Sequence, residues 1–242
     1  MKVERQHPSL KEGVMQGEYH VIDLSRPIHT NMPVFPLVLR TYLGVYLGHK
    51  ESFRPPNISS QSNIIVMSDH AGTHIDSPIH FNPDGTSIDQ MPLDIMIGNG
   101  VMQDFSFKTS GDTVTIQEVK EGLDRIGVNP KDLRYILFRT GAADLYNTDR
   151  YLSHYLEIHA DTVEWMLDQG ILVFGVDANT CDHAKDKKTH MLMRKRPSYH
   201  IENLANLEKL PRDRIFTFVC TPLLLRGSSA SPIRALALVS RI

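Results

Sequence analysis

The sequence lacks several features that would place it in common protein classes. It has only two cysteines, Cys181 and Cys220, which are too few for a disulfide-stabilised scaffold. No apolar run approaches the roughly 20 residues of a membrane-spanning helix, and the first residues lack the apolar core of a secretion signal. Neither G-x-G-x-x-G nor G-x-x-x-x-G-K-[ST] occurs, which argues against a dehydrogenase or a nucleotide-dependent enzyme. We therefore expect a cytoplasmic protein that is not a membrane protein.

Charge and composition narrow the choice of partner. The formal net charge is −2, and the only basic cluster is Arg194-Lys195-Arg196, so we expect no binding to nucleic acid or to an anionic membrane. Repeats and Gly/Ser linkers are absent, and 41% of the residues are hydrophobic. These features predict one domain over residues 1–242, with a small molecule as its partner.

The pattern of apolar residues predicts a mixed α/β or α+β fold. Two helices are expected: residues 115–126, capped by Thr115 and ended by Gly127, and residues 160–169, stopped by Gly170. Each helix leads into a strand, which predicts parallel strands in the second half of the chain. The first half of the chain is expected to contain strands and loops without helices. The predicted strands are residues 21–24, 63–67, 100–105, 135–138, 171–176, 215–219 and 235–239.

One segment, His70-Ala-Gly-Thr-His74-Ile-Asp76-Ser-Pro-Ile-His80-Phe, is unusually rich in groups that bind metals. His74 and Asp76 are two positions apart, so on an extended backbone their side chains point to the same face. Gly72 allows a turn that brings His70 to join them. Imidazoles and a carboxylate that converge in this way are typical metal ligands.

The end of the same segment predicts a separate role for His80. Pro78 keeps Ser77 extended and cannot lie in a central strand, so the chain should leave the sheet there and return His80 toward the metal. His80 is then close to the ion without having to bind it. A single histidine is usually structural, but burying this many unpaired polar groups costs about 1–3 kcal/mol each, and a metal relieves that cost.

The motif His70-x-Gly-Thr-His74-x-Asp76-x-Pro-x-His80-Phe resembles the signature of the cyclase-like metal-dependent hydrolases, a family that includes bacterial kynurenine formamidase and isatin hydrolase. The resemblance extends along essentially the whole chain. Its other parts are Val-Ile-Asp-Leu-Ser at 21–25, Gly-Val-Asp at 175–177, Glu-Asn-Leu-Ala-Asn-Leu at 202–207 and Gly-Ser-Ser-Ala-Ser-Pro-Ile-Arg-Ala at 227–235. It implies a swivelling β/β/α-type fold with a central mixed sheet and flanking helices.

The resemblance also implies a ligand set. His70, His74 and Asp76 correspond to the ligands of a first metal, and Asp76, His190 and Glu202 to those of a second. His80 corresponds to the general acid/base. Single-manganese isatin hydrolases carry Gln where this chain has Glu202, and the added carboxylate supplies both a ligand and a negative charge. We therefore expect two divalent ions per subunit, zinc or manganese.

These residues predict a hydrolase that acts on C–N bonds other than peptide bonds. A divalent metal lowers the pKa of bound water toward about 7, and the resulting hydroxide would attack a carbonyl while His80 protonates the departing nitrogen. The first hypothesis is an arylformamidase that converts N-formylkynurenine to kynurenine and formate. The alternatives are a hydrolase of a cyclic amide, imide or lactone, with similar chemistry at the metal, and a metal-binding protein without turnover. His80 argues against the last, because a structural zinc site is usually closed by four protein ligands.

Other polar residues have several interpretations. His200 would share a strand face with Glu202, but we do not include it among the ligands. Cys181 lies beside Asp182 and His183, yet adjacent side chains cannot form a catalytic triad, so we interpret it as non-catalytic. Arg194 and Arg196 could bind a substrate carboxylate or form a solvated face.

Two further expectations concern the surroundings of the site. The aromatic side chains Phe35, Tyr42, Tyr46 and Phe53 could stack on a substrate, pack in the core or form an interface. The resemblance also implies a homo-oligomer, a dimer or tetramer, in which N-terminal segments reach a neighbour's site.

Overall fold

The computed structural model describes residues 17–182 and 186–241. This part of the chain forms strands β1 (Tyr19–Asp23), β2 (Tyr42–Leu47), β3 (Ser62–Val66), β4 (His74–Asp76), β5 (Ile97–Asp104), β6 (Thr113–Val114), β7 (Tyr135–Arg139), β8 (Glu157–Ile158), β9 (Val173–Val176), β10 (Tyr199–Glu202), β11 (Phe216–Pro222) and β12 (Ala230–Ser240). Its α-helices are α1 (Ile116–Ile126), α2 (Ala160–Asp168) and α3 (Lys188–Met191). None of these helices is long and apolar enough to cross a bilayer.

Seven of the strands form a closed mixed sheet. Their order is β12, β11, β5, β7, β9, β10 and β4, and β4 pairs back to β12. The neighbours β5, β7, β9 and β10 are parallel, as predicted for the second half of the chain, and the other pairs are antiparallel. The mixed α+β class is confirmed, and closure of the sheet protects the backbone groups that an open sheet would leave at its edges.

Strand β7 shows how the closed sheet separates two apolar cores. Tyr135 and Leu137 belong to the cluster inside the sheet, whereas Ile136 and Phe138 belong to the cluster between the sheet and helices α1 and α2. This alternation follows from the two-residue period of a strand. Both faces are covered, which explains the continuous apolar sequence of β7.

The predicted elements are present with shifted ends, and the largest difference is at β12, which begins at Ala230 and not at residue 235. Each of the seven predicted strands overlaps an observed one. Helix α1 begins after Thr115, which forms a capping box with Glu118, and ends at Gly127 in the left-handed conformation (φ +66°). Strands β2, β4, β6, β8 and β10 are additional to the predicted ones.

Candidate metal centre

Strand β4 places His74 and Asp76 on one face, and both side chains are buried. Its antiparallel partner β10 brings Glu202 opposite His74. Glu202 Oε2 lies 3.7 Å from His74 Nε2. The register of one strand pair therefore joins the motif to a carboxylate from far along the chain.

The turn at Gly72 returns His70 to the same point. Gly72 has φ +70°, a left-handed conformation that favours glycine. His70 Nδ1 lies 2.8 Å from Asp76 Oδ1, and His74 Nε2 lies 3.3 Å from the same oxygen. The two histidines and the aspartate of the motif thus converge, and the turn lies where the sequence predicts it.

Helix α3 adds His190 on the other side of Asp76. His190 Nε2 lies 3.5 Å from Glu202 Oε1 and 3.9 Å from Asp76 Oδ2. The two oxygens of Asp76 therefore face different histidines. Asp76 therefore lies between two groups of donors, and its role as a bridging ligand stays a prediction.

The donor atoms in this cluster suit divalent ions. Asp76 Oδ1 and Glu202 Oε1 are buried, and histidine ring nitrogens approach both oxygens: His70 Nδ1 lies 2.8 Å from the first and His190 Nε2 lies 3.5 Å from the second. Ligands bound to one zinc ion lie roughly 3.4 Å apart, which follows from tetrahedral geometry at about 2.0–2.2 Å. Five nitrogen–oxygen distances between predicted ligands lie between 2.8 and 3.9 Å. The residues present therefore fit a metal centre, and their roles as ligands stay predictions.

The carboxylates of the cluster stabilise positive charge beside them, either on a protonated histidine or on a bound cation. Burial lowers the pKa of His74, but the charges of Asp76 and Glu202 outweigh it and raise this pKa to about 9. Burial raises the pKa of Asp76, but the neighbouring His74 outweighs it and holds the pKa well below its usual range. A cation bound here would compete with protons for the same atoms, so we expect metal affinity to fall in acid.

His80 lies at the edge of the cluster. After the extended Ser77, residues Pro78–His80 form a short 3-10 helix that leaves the sheet, as predicted. His80 Nε2 is 4.0 Å from Asp76 Oδ2, and the side chain is 31% exposed, against 15% for His70. Burial is the largest cause that lowers the pKa of His80; Asp76 opposes it, and His70 adds to it. A neutral imidazole near pH 7 suits a proton carrier.

Distance alone does not separate a ligand from a proton carrier at His80. Its ring nitrogen lies within 4.8 Å of ligand atoms of His70 and Asp76, close enough to share an ion with them. Its greater exposure favours contact with substrate. Substitution of His80, with metal content measured alongside turnover, distinguishes the two roles.

The ring of His190 is oriented by Asp182, which the sequence analysis missed as a functional residue. His190 Nδ1 lies 3.0 Å from Asp182 Oδ2, and the same oxygen accepts a hydrogen bond from the His190 backbone N–H at 2.9 Å. Similarly, His74 Nδ1 lies 2.9 Å from the carbonyl oxygen of Gly72. These partners leave Nε2 of both rings facing the carboxylates, which is how protein groups commonly orient metal-binding histidines.

The ring of His70 is held by the loop before β12. His70 Nε2 lies 2.9 Å from Ser229 Oγ, which donates to Asp69 Oδ2 at 3.0 Å, and Ser228 Oγ donates to the same oxygen at 2.8 Å. The serines belong to the segment at 227–235 that contributed to the family resemblance. The resemblance of residues 227–235 to the family could have pointed to these serines, although the sequence alone assigned the segment no role.

Cys181 and His200, which the sequence analysis considered and did not include in the site, lie beside His190. Cys181 is fully buried, and burial raises the pKa of its thiol to about 11, so it is a poor nucleophile at neutral pH. His200 Nδ1 lies 3.8 Å from Cys181 Sγ, and its Nε2 lies 3.4 Å from Ser198 Oγ. Cys181, His190 and His200 are close enough to share an ion, but His190 Nδ1 already contacts Asp182. His183 lies outside the described residues.

A cavity of about 210 Å³ opens over the cluster. The apolar part of its wall includes Phe35 and Phe81, and the polar part includes Asn179, Thr180 and Lys187, which the sequence analysis did not select. Arg194 and Arg196 do not line it: Arg194 Nε donates to the carbonyl oxygen of Phe81 at 2.8 Å, and Arg196 pairs with Asp168 at 2.6 Å. Tyr42, Tyr46 and Phe53 do not line it either and are 51%, 77% and 54% exposed.

A closed mixed sheet presents histidine, aspartate and glutamate donors beside a further histidine at the base of a cavity, which is the arrangement expected of a metal-dependent hydrolase. The chain belongs to the cyclase family, because the family model described as "Putative cyclase" matches residues 22–183.

Individual relatives agree with this assignment. A protein named kynurenine formamidase from Paracidovorax citrulli is 30% identical over 217 residues, which cover 88% of this chain and 94% of the relative. One of the same name from Erythrobacter litoralis is 27% identical over 228 residues, with coverage of 91% and 94%. The crystal structure of an isatin hydrolase bound to the product analogue thioisatinate has a TM-score of 0.85 at 21% identity and covers 100% of both chains. At that identity the similarity shows a shared fold.

Proposed function

We propose that this enzyme hydrolyses the C–N bond of an N-formyl aromatic amine, with N-formylkynurenine as substrate and kynurenine and formate as products. The observation that carries the proposal is the cluster centred on Asp76, whose oxygens face His74 on one side and His190 on the other. The similarity to kynurenine formamidases over about nine-tenths of the chain supports the substrate. We also propose that the reaction takes place in the cytoplasm.

In this proposal, two groups of side chains would hold two divalent ions. His70, His74 and Asp76 would hold the first, and Asp76, His190 and Glu202 the second. Zinc and manganese both suit such mixed nitrogen and oxygen ligands. When bound, the ions supply positive charge that makes water nucleophilic at neutral pH and stabilises negative charge on the substrate oxygen.

The protein's own side chains supply binding and proton transfer. Phe35 and Phe81 provide an apolar wall for the aromatic ring of the substrate and exclude water from it. His80 Nε2, at the edge of the cluster, takes a proton from the oxygen that has added to the carbonyl carbon and passes it to the nitrogen that departs, because an amine leaves poorly unless it is protonated. The C–N bond then breaks and releases formate and the amine. The ring of Phe81 lies 4.7 Å from the ring of His80 and limits its movement.

We expect enzyme reconstituted with zinc or manganese to hydrolyse N-formylkynurenine with a kcat/KM at least about a hundredfold above that for isatin. A site that binds an open-chain formamide places the ring and the carbonyl differently from one that binds a cyclic amide. Initial rates followed by absorbance test this expectation. Faster opening of isatin or of a lactone would replace the proposed substrate with a cyclic one and leave the metal-dependent hydrolase assignment in place.

The proposal includes a homo-oligomer, with a second copy of the chain covering the hairpin β2–β3. This hairpin forms a separate two-stranded sheet. Val45, Tyr46 and Ile65 on it are 59%, 77% and 57% exposed. An isolated hairpin is only marginally stable in water, and a contiguous apolar surface usually marks an interface.

Ile65→Lys is expected to convert the oligomer to a monomer, because it places a charge in the apolar surface of the hairpin. Light scattering coupled to size-exclusion chromatography measures the mass. Leu93→Lys is the matched control, since Leu93 is 80% exposed and lies outside the hairpin. A monomeric wild-type protein, or an unchanged mass for Ile65→Lys, would contradict this interface.

A further inference from the structure

Lys187 lines the cavity over the metal centre and forms no direct ion pair within the described residues. The residue is half-buried. Its Nζ donates to Thr180 Oγ1 at 3.2 Å and lies 5.7 Å from the centre of the Phe35 ring. The next residue, Lys188, pairs with Asp186 at 3.2 Å, whereas Lys187 forms no ion pair within residues 17–182 and 186–241. The nearby charge of Lys187 helps to lower the pKa of Asp182, but the carboxylate of Asp182 contacts the ring and the backbone N–H of His190.

The backbone at Lys187 is in an unusual conformation. Its φ is +48°, in the left-handed region that residues with side chains rarely adopt. Lys187 immediately precedes helix α3, which carries His190. One strained turn therefore both starts the helix of a predicted metal ligand and directs a cation to the cavity. Strain of this kind is often retained at functional sites.

A second unpaired polar group lines the same cavity. Asn179 is 5% exposed, and neither its amide nitrogen nor its amide oxygen has a hydrogen-bond partner in the described part of the chain. Asn179 precedes Thr180, the residue that holds the Lys187 ammonium. A buried amide without a hydrogen-bond partner, beside a cation without a direct ion pair, indicates that a polar ligand completes this side of the cavity.

We propose that Lys187 binds a carboxylate of the substrate that is remote from the bond being cleaved. This inference rests on the proposed function and names the substrate class: an aromatic amide with an anionic tail, in preference to a neutral cyclic amide. The aromatic ring of the substrate lies along Phe35 and Phe81, and its tail extends to Lys187. Between apolar walls, such a charge-assisted hydrogen bond is stronger than in water.

Paired substrates test this role. N-formylkynurenine and formanilide share the scissile bond, but only the first has a carboxylate. Lys187→Met is expected to lower kcat/KM for N-formylkynurenine roughly tenfold to thirtyfold, mainly through KM, and to change that for formanilide less than about twofold. Lys187→Arg is expected to restore most of the loss. Lys188→Met is the matched control and is expected to behave as wild type.

Two outcomes would overturn the inference. An equal loss with both substrates would show that Lys187 only supports the structure, and an unchanged KM for N-formylkynurenine would show that it does not bind the tail. If the metal-loaded enzyme cleaves neither formamide, the proposed function fails, and inert probes then test Lys187 separately. By calorimetry, Lys187→Met is expected to weaken the binding of phenylacetate roughly tenfold and that of phenylacetamide less than about twofold; an equal effect on both probes overturns the inference.

Discussion

Replacing Asp76 by asparagine is expected to abolish turnover and to release both divalent ions. Asp76 Oδ1 lies 3.3 Å from His74 Nε2, and Oδ2 lies 3.9 Å from His190 Nε2, so one carboxylate faces both groups of donors. The substitution removes its charge and replaces one oxygen with an amide nitrogen that cannot bind a cation. Losing several kcal/mol of transition-state stabilisation corresponds to a fall in kcat/KM of at least about a thousandfold.

Metal content distinguishes a shared ligand from an ordinary one. Glu202 Oε1 faces His190 Nε2 at 3.5 Å. Glu202→Gln is therefore expected to lose the ion on that side and to keep the one held by His70, His74 and Asp76. Mass spectrometry of the dialysed proteins should find two ions per chain in the wild type, one in Glu202→Gln and none in Asp76→Asn.

The matched control for Asp76→Asn is Asp84→Asn, which makes the same chemical change at an exposed position beyond the motif. It is expected to keep both ions and full activity. Removing one partner of the buried Asp76–His74 pair also destabilises the protein, so circular dichroism is recorded to confirm that Asp76→Asn is folded. A folded Asp76→Asn protein that keeps one ion would show that Asp76 is not shared.

The local part of this site can be predicted from short-range backbone rules. His74 and Asp76 share a face because a strand has a two-residue period, Gly72 permits the turn that returns His70, and Pro78 ends the strand before His80. Each rule acts over a few residues. The amino-acid sequence of the motif is therefore sufficient to indicate both the convergence of these side chains and their chemistry.

The distant part of the site could not be predicted in this way. Glu202 reaches His74 only because β10 pairs with β4 in one particular register. A shift of one residue would turn Glu202 to the other face of the sheet, and no local pattern specifies that register. His190 and Glu202 were therefore predicted from the family resemblance alone.

Closure of the sheet could not be predicted from the sequence either, because it also depends on which strands pair. Strand β12 pairs with β4 through residues 230–232, with β11 through residues 233–238 and with β1 through residues 236–240. Its first part, Ala-Ser-Pro, has low strand propensity, so only residues 235–239 were predicted to be a strand. Tertiary pairing determines the remainder.

Asp182 and Lys187 were missed because their role depends on neighbours in space. Asp182 lies beside Cys181 and His183, which drew attention to a nucleophile, whereas its carboxylate contacts His190. Lys187 lies in a charged stretch that is typical of a solvated surface. Only the structure shows that Lys188 has an acidic partner and that Lys187 points instead toward Thr180 and the cavity.

Replacing His80 by alanine is expected to lower kcat/KM for N-formylkynurenine by about 10²–10⁴-fold while both ions stay bound. His80 Nε2 lies 4.0 Å from Asp76 Oδ2, at the edge of the cluster and beside the cavity. The amine cannot leave efficiently until its nitrogen gains a proton, and the other histidines of the cluster direct a nitrogen toward Asp76 or Glu202. Initial rates and metal analysis of the same preparation measure both expectations.

The leaving group provides the sharper test of His80. The nitrophenolate released from p-nitrophenyl formate is stable without a proton, so His80→Ala is expected to lose less than about tenfold with this ester. His20→Ala, at an exposed position on β1, is the control and should match the wild type with both substrates. Loss of an ion from His80→Ala would make His80 a ligand, and equal losses with the ester and the amide would exclude proton delivery to the leaving group. A large loss with both N-formylkynurenine and formanilide, but not with the ester, would assign His80 to the departing nitrogen, because attack on the formyl carbon is common to all three substrates and formanilide lacks the tail.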